Sequence, residues 1–318
     1  MKIKGFPVEA TIHVLNRCNE LLKRKSGADN IKQEYYYWID WLKIQFKNFH
    51  KIHENSKKKV LKTLDKKNKL LVKDIGYFKN SKLLKNKKGG EKLVLTDKNI
   101  KKAVKLWFEN KDRFEKKYGS ISNWNVLGVT DMSHLFDSNN ELYQSVKDFD
   151  NKIENFNENL SKWNVINVTN MDSMFAGCEN FNKPLCWGDN TKNVKNMDNM
   201  FSACGKFNQP LYWNVSSVTS MESMFDNALE FNQNLNNWNV SKVKNMKNMF
   251  FECPEFNGNM SSWNTYNVND MNGMFSGCKK FNRNLSRWNV SNVTNMESMF
   301  CYCYKFDQLL NNWDISNV

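Results

Sequence analysis

A phrase of 25 residues is written repeatedly through the C-terminal two thirds of this chain, and that period limits the folds open to it more than any other feature. One copy runs Phe281-Asn-Arg-Asn-Leu-Ser-Arg-Trp-Asn-Val-Ser-Asn-Val-Thr-Asn-Met-Glu-Ser-Met-Phe300. Trp213, Trp238, Trp263, Trp288 and Trp313 recur every 25 residues, Trp163 and Trp187 extend the series upstream at intervals of 24 and 26, and Trp124 begins it. Met-x-x-Met-Phe starts at Met171, Met197, Met221, Met246, Met271 and Met296, and Phe followed by Asn or Asp recurs from Phe156 to Phe306. A fixed period of this size is the signature of stacked repeats. Leu-x-x-Trp-x-Val ends in the alternation of a half-buried strand, whereas Met-x-x-Met-Phe-x-x-Cys has spacings that suit a helical turn or two. The expected fold class is therefore an α/β repeat solenoid. It is a leucine-rich-repeat-like array with a parallel β-sheet on one wall and short helices or turns on the other, preceded by an α-helical N-terminal head. At about 4.8 Å between strands, the sheet spanning eight tryptophans is expected to be roughly 34 Å long.

Charge divides the chain in two. Residues 1–120 carry 32 Lys and Arg against 13 Asp and Glu, and residues 121–318 carry 15 against 20. Helical spacing of apolar residues predicts three helices in a basic head over 1–79, followed by a linker over 80–95 that includes Asn-Lys-Lys-Gly-Gly. Residues 96–120 read as a capping helix for the array, with Thr96-Asp97 as its N-cap and Gly119 at its C-cap position. Such a helix would cover the open apolar end of the first turn. The repeat array takes 121–318. The long interval between Trp124 and Trp163 places an insertion at Asp137–Glu154 that should loop out from one turn, so proteolysis is expected there or in Asn80–Lys92.

Five of the eight cysteines, Cys178, Cys204, Cys253, Cys278 and Cys303, share one repeat position, which Ala228 also occupies. A position that takes Ala and Cys alike reads as a packing column for small side chains rather than a disulfide or metal framework. His50 and His53 sit three apart without a completing ligand. His134 stands where later repeats have Ser, Asn or Gly and reads as an exposed substitution. No phosphate loop, nucleophile elbow or His-Glu-x-x-His is present. The expectation is a non-enzymatic protein with no catalytic residue, metal or cofactor.

Trp-Asn-Val-Ser-Asn-Val-Thr-Asn-Met-Glu-Ser-Met-Phe, with Phe-Asn-x-x-Leu before the next Trp, resembles the BspA-like leucine-rich-repeat surface proteins in their 25- to 26-residue form. These occur in bacterial and mycoplasma surface proteins, protists and giant viruses. The likeness covers about Leu95 to Val318, including Ile100-Lys-Lys-Ala-Val-Lys-Leu-Trp107 and Tyr118-Gly-x-Ile-x-x-Trp124 ahead of the array. It implies a repeat fold used for adhesion or recognition. The chain opens without an apolar signal segment and has no run of 18 apolar residues, so an intracellular or virion-associated location is expected over secretion. The sequence stops mid-repeat at Trp313-Asp-Ile-Ser-Asn-Val318, which suggests a longer array or a last turn covered by another chain.

Two functions from different classes follow. The first is protein interaction through the repeat face, where the Asn column beside each Trp points outward. That column offers a polar ladder to a ligand or, more simply, amide bonds that stabilise stacking. The candidate partner-binding residues are Lys162, Ile166, Tyr212, Asn214, Asn239, Asn264, Tyr266, Arg287 and Asn289, chosen from that column and from neighbouring positions where the repeats differ. The alternative is binding of nucleic acid or an acidic surface by the basic head, through runs such as Lys57-Lys58-Lys59. Arginine, the residue that clamps phosphates bidentately, is scarce there, being limited to Arg17, Arg24 and Arg113 up to residue 120.

Overall fold

The computed structural model describes residues 95–318. The basic helical head, all but the last residue of the linker, His50, His53 and the lysine runs lie outside the described residues.

The expected parallel sheet is not found. No β-strand occurs among the described residues, and neighbouring repeats meet in parallel register only at single-residue bridges, from Asp131–Asn170 through Asn245–Asp270 to Asp270–Asn295. The reason lies in the apolar spacing. Leu-x-x-Trp, Val-x-x-Val, Met-x-x-Met, Phe-x-x-Cys and Cys-x-x-Phe each close a tight turn in which the last residue's N–H donates to the first residue's carbonyl. Examples are Trp163 to Leu160 (3.0 Å), Val168 to Val165 (2.9 Å), Met174 to Met171 (3.2 Å), Cys178 to Phe175 (3.0 Å) and Phe181 to Cys178 (2.9 Å). Each repeat is thus a chain of turns whose apolar corners point inward and whose central residues face out. A backbone that turns every three or four residues has no length in which to form a strand.

The Met-x-x-Met-Phe-x-x-Cys wall is not helical either. Two residues per repeat take left-handed backbone, as Ser173 (φ 52°) and Gly177 (φ 77°) do, followed by Asn199 and Ala203, Ser223 and Asn227, and Asn248 and Glu252. A positive φ at the third residue marks a type II turn and cannot be continued into a right-handed helix. Every second N–H along this wall therefore points to the next repeat: Met171, Ser173, Phe175 and Gly177 donate to the carbonyls of Asn196, Asp198, Met200 and Ser202 at 2.8–3.0 Å.

The corners stack into columns. Phe175, Phe201, Phe225, Phe250 and Phe275 follow one another with ring centroids 5.5–5.7 Å apart. A second column, Phe181 to Phe281, interleaves with it, its rings lying as close as 4.0 Å. Tryptophan rings stack at 5.3–6.4 Å. Met, Phe, Val and Cys of the central repeats are fully buried.

Two helices precede the array, where one was expected. α1, Ile100–Glu109, buries Ile100, Ala103, Val104, Trp107 and Phe108 on one face, the i, i+3, i+4, i+7, i+8 stripe of an amphipathic helix. It stops at Asn110, whose backbone is extended and whose side chain accepts from Arg113 N (3.0 Å), starting α2, Lys111–Tyr118. α2 ends at Gly119 with φ 84°, the left-handed stop that glycine accommodates. Asn99, not Thr96-Asp97, is the N-cap of α1. Asp97 instead holds the first repeat, accepting from Thr130 N and Oγ1 (both 2.7 Å) and Asp131 N (3.1 Å). Phe108 meets Phe136 and Phe156, with centroids 6.4 and 5.9 Å apart.

The insertion does not hang free. It holds a single 3-10 turn at Glu141–Tyr143 and a short helix, α3, Phe149–Glu154, with Tyr143, Val146, Phe149 and Ile153 buried. Phe108 packs on Tyr143 and Phe149, and the Tyr143 hydroxyl donates to the Leu135 carbonyl at 3.0 Å. In later repeats the equivalent carbonyl, such as that of Met174, accepts a backbone N–H from the repeat before, here Phe136 N. The insertion thus supplies the first turn with the bond that a preceding repeat would give. The repeats on either side remain joined, Met132, His134 and Phe136 donating to Asn170, Asp172 and Met174 at 2.8–2.9 Å.

Candidate functional site

The outer surface between each Trp and the following Met carries the sequence-predicted residues. Trp163, Trp213, Trp238, Trp263 and Trp288 are buried, and their stacking brings the flanking positions into line. Lys162, Asn239, Asn264, Tyr266, Arg287 and Asn289 are exposed, Tyr212 is 45% exposed, and Ile166 and Asn214 are half-buried. The nine therefore share one strip. Lys162 reaches Asn123 Oδ1 at 3.3 Å.

The Asn column beside Trp is not a ladder between repeats. Each side-chain oxygen accepts from the backbone two residues on: Ser241 N to Asn239, Tyr266 N to Asn264 and Ser291 N to Asn289, at 3.1–3.2 Å. These are Asx turns, in which the side chain closes its own loop. Oδ1 is thereby occupied, and the amide NH2 is left as the outward group. Asn214 differs, its Nδ2 donating to Asp189 at 2.8 Å.

Amide bonding between repeats occurs in two other columns, which the sequence reading passed over. The Asn after Phe accepts from the same residue one repeat later: Asn208 N to Asn182, Asn232 N to Asn208, Asn257 N to Asn232 and Asn282 N to Asn257, at 2.8–3.1 Å. The Asn before the second Val donates backward: Asn193 to Ile166 O, Asn267 to Ser241 O, Asn292 to Tyr266 O and Asn317 to Ser291 O, at 2.6–2.7 Å. Their recurrence, broken by Ser217 and Lys242 before the second Val and by Asp307 after Phe306, was a visible signal. Its direction, along the stack rather than outward, was not.

Each Trp Nε1 donates to the carbonyl of the preceding repeat, from Trp163 to Ile121 O through Trp313 to Leu285 O, at 2.8–3.1 Å. Trp124, with no repeat before it, has a buried Nε1 without a partner. The Cys column is buried up to Cys278 and half-buried at Cys303, and its members form no disulfides. Its thiols donate to phenylalanine carbonyls one repeat back, Cys253 to Phe225 O and Cys278 to Phe250 O at 2.8 and 3.0 Å. Burial pushes the Cys204, Cys253 and Cys278 thiols well up from their ordinary value, and that of half-buried Cys303 up to about 12. These sulfurs are protonated packing groups, and none is activated as a nucleophile. His134 occupies a left-handed position (φ 54°) with Nδ1 2.6 Å from Asp137 Oδ2 and Nε2 3.6 Å from Asp172 Oδ2.

Among the described residues no three His, Cys, Asp or Glu side chains are grouped to hold a metal ion. No helix among them is long and apolar enough to cross a membrane.

A family model described as a Mycoplasma protein of unknown function, DUF285, matches the chain in three overlapping stretches, residues 94–185, 149–252 and 230–318. No curated protein and no solved structure matches.

Proposed function

The chain belongs to the DUF285 family, and from that premise we propose that its repeat array is a non-enzymatic interaction module that holds a protein partner along the strip between the Trp and Met columns. The observation that carries the reading is the division of labour within each repeat. Inward positions keep one identity or size from repeat to repeat, whereas outward positions on one continuous strip change: Lys162, Tyr212, Asn237, Ser262 and Arg287 before Trp, and Leu127, Ile166 and Tyr266 where Ser otherwise stands. Exposed Tyr and Arg are residue types that anchor protein interfaces. The likeness of the repeat phrase to BspA-like surface proteins supports adhesion or recognition as the setting. The test is a photo-crosslinking amino acid placed at Asn264 on the strip or at Asn248 on the Met wall. The strip position is expected to capture a defined protein that the wall position does not; equal capture from both, or none from the strip, overturns the reading.

A further inference from the structure

The strip is also electrostatically distinct. Between the residue before Trp and the residue before the parallel bridge stand six cations: Lys162, Lys192, Lys195, Lys242, Lys244 and Arg287, all exposed. Among the described residues none of the six forms an ion pair. Elsewhere in the array Lys206 pairs with Glu230 (2.7 Å), Lys247 with Glu222 (3.2 Å) and Lys280 with Glu255 (2.5 Å), whereas among the described residues Lys279 and Lys305 form no ion pair. The strip holds only two carboxylates, Asp189 and Asp314; the first accepts from Asn214 Nδ2 at 2.8 Å and the second from Ser316 N at 3.1 Å. This segregation exists in an array whose repeats carry more carboxylates than cations overall.

The amides reinforce it. With Oδ1 of Asn239, Asn264 and Asn289 held in Asx turns, what faces outward is NH2, so lysine, arginine and asparagine together present donors and positive charge. Lys195 and Lys244 hold equivalent positions two repeats apart, each just before a bridging Asn. With the rings of those repeats 5.7 and 5.5 Å apart, the two positions are separated along the stack by roughly 11 Å.

Resting on the proposed interaction strip, we infer that its partner is an acidic protein segment lying along the stack in extended form, with a carboxylate at every third or fourth residue. An extended chain advances about 3.3 Å per residue, which matches that interval to the cation spacing. A row of unpaired cations facing a carboxylate-bearing chain gives complementarity without the cost of breaking existing pairs. A nucleic acid fits less well. The strip has one arginine and few exposed rings, whereas phosphate clamping and base stacking draw on both.

The full chain with p-benzoylphenylalanine in place of Asn239 tests this, because crosslinking reports the strip and not the basic residues at the N-terminus. Twenty-residue poly-L-glutamate is expected to crosslink, with yield falling at least tenfold in Lys242→Glu/Lys244→Glu and holding in the charge-matched Lys279→Glu/Lys305→Glu. Raising salt should weaken the first interaction steeply. Equal yields in both double variants, or equal capture of poly-L-lysine, overturn the acidic partner. Preferential crosslinking of a twenty-nucleotide single strand assigns the strip to nucleic acid instead and also overturns it. If the Asn264 crosslinker captures a protein whose binding ignores the charge reversal, the acidic partner falls while the interaction reading stands.

Discussion

The Met-to-Cys wall and the Trp-to-Val wall of a repeat use the same turn, closed between residues three apart, and bind their neighbours by different means. On the first, backbone crosses the boundary: Met221, Ser223, Phe225 and Asn227 donate to Asn245, Lys247, Met249 and Phe251 carbonyls at 2.8–3.0 Å. On the second, most turns satisfy themselves, and repeats are joined by Trp Nε1, by asparagine amides and by a single backbone bond per repeat at the end of the strip, such as Lys244 N to Thr219 O at 2.9 Å. Backbone bonds do not depend on side-chain identity, so the first wall tolerates Ser, Asn, Glu or Ala outside without losing its cohesion. The second wall keeps Trp and Val within and leaves its outer side chains free to differ. Cohesion and recognition can therefore occupy opposite walls of one 25-residue unit.

The largest expected effects are on the side that holds the stack. Phe225 is fully buried and stacks on Phe231 and Phe250 at 4.0 and 5.5 Å, so Phe225→Ala should cost about 3–5 kcal/mol in urea unfolding. In an array where each repeat touches only its neighbours, that loss should also split the transition into two. A single cooperative transition with little loss would mean that the Phe columns do not carry the stack. Next comes Ser223→Pro. The position needs φ 51° and an N–H given to Lys247 O at 2.8 Å, and proline supplies neither, so about 3 kcal/mol or more should be lost. Ser241→Pro in the Trp wall also removes an N–H, here the one bonded to Asn239, but breaks no bond between repeats and should cost less. Reversal of that order would break the comparison of the walls.

How much of this was legible follows from the same turns. The columns, the period and the inward positions could be read because apolar identity recurs every 25 residues. The conformation could not. A spacing of three between apolar residues, as in Met171 and Met174 or Phe175 and Cys178, is shared by a helix face and by a chain of tight turns. The residues that decide between them, left-handed Ser223, Glu252 and Tyr302, are not types that announce positive φ. Leu-x-x-Trp-x-Val likewise alternates for too few residues to separate a strand from a turn. For the strip, Lys162, Tyr266 and Arg287 were found by comparing positions next to Trp. Lys192, Lys195, Lys242 and Lys244 were missed because they lie four or more residues on, beyond the second buried corner. That the Asn oxygen beside Trp closes a local turn is visible only in the geometry.

A smaller effect with the opposite sign is expected at Asp198. Burial raises its carboxyl above the usual range, with the charges of Asp172 and Glu222 adding to it, despite hydrogen bonds from Ser220 Oγ (2.5 Å) and Glu222 N (2.8 Å). A carboxyl whose folded pKa is raised favours its neutral form. Stability is then lost as pH rises from the unfolded value, about 3.9, through the raised folded one. Asp198→Asn retains an oxygen for both bonds and carries no charge, so it should stabilise the array at pH 7, with the advantage vanishing below about pH 4. A loss of stability at pH 7 would show that the carboxylate, not the oxygen, is what the Met wall uses.

The smallest effect on stability is the one that separates the walls most sharply. Tyr266 is 52% exposed and Arg287 is exposed in the described residues, and neither side chain is part of the turn bonds, which run through Tyr266 N and O and through Asn289. Replacing both by Ala removes two large outer groups while leaving Asn264 Oδ1, Asn292 Nδ2 and the buried Trp263–Trp288 stack, centroids 5.9 Å apart, in place. Surface truncations of this kind usually change stability by no more than about 0.5 kcal/mol. The urea midpoint of Tyr266→Ala/Arg287→Ala should therefore stay with the parent while capture of a strip-bound protein falls. Both residues are exposed, so truncation leaves no buried group unpaired, and a folding defect has no route except through the outer surface itself. A midpoint drop comparable to that of Ser223→Pro would mean that these side chains hold neighbouring repeats together, and the division between a cohesive wall and a variable one would have to be given up.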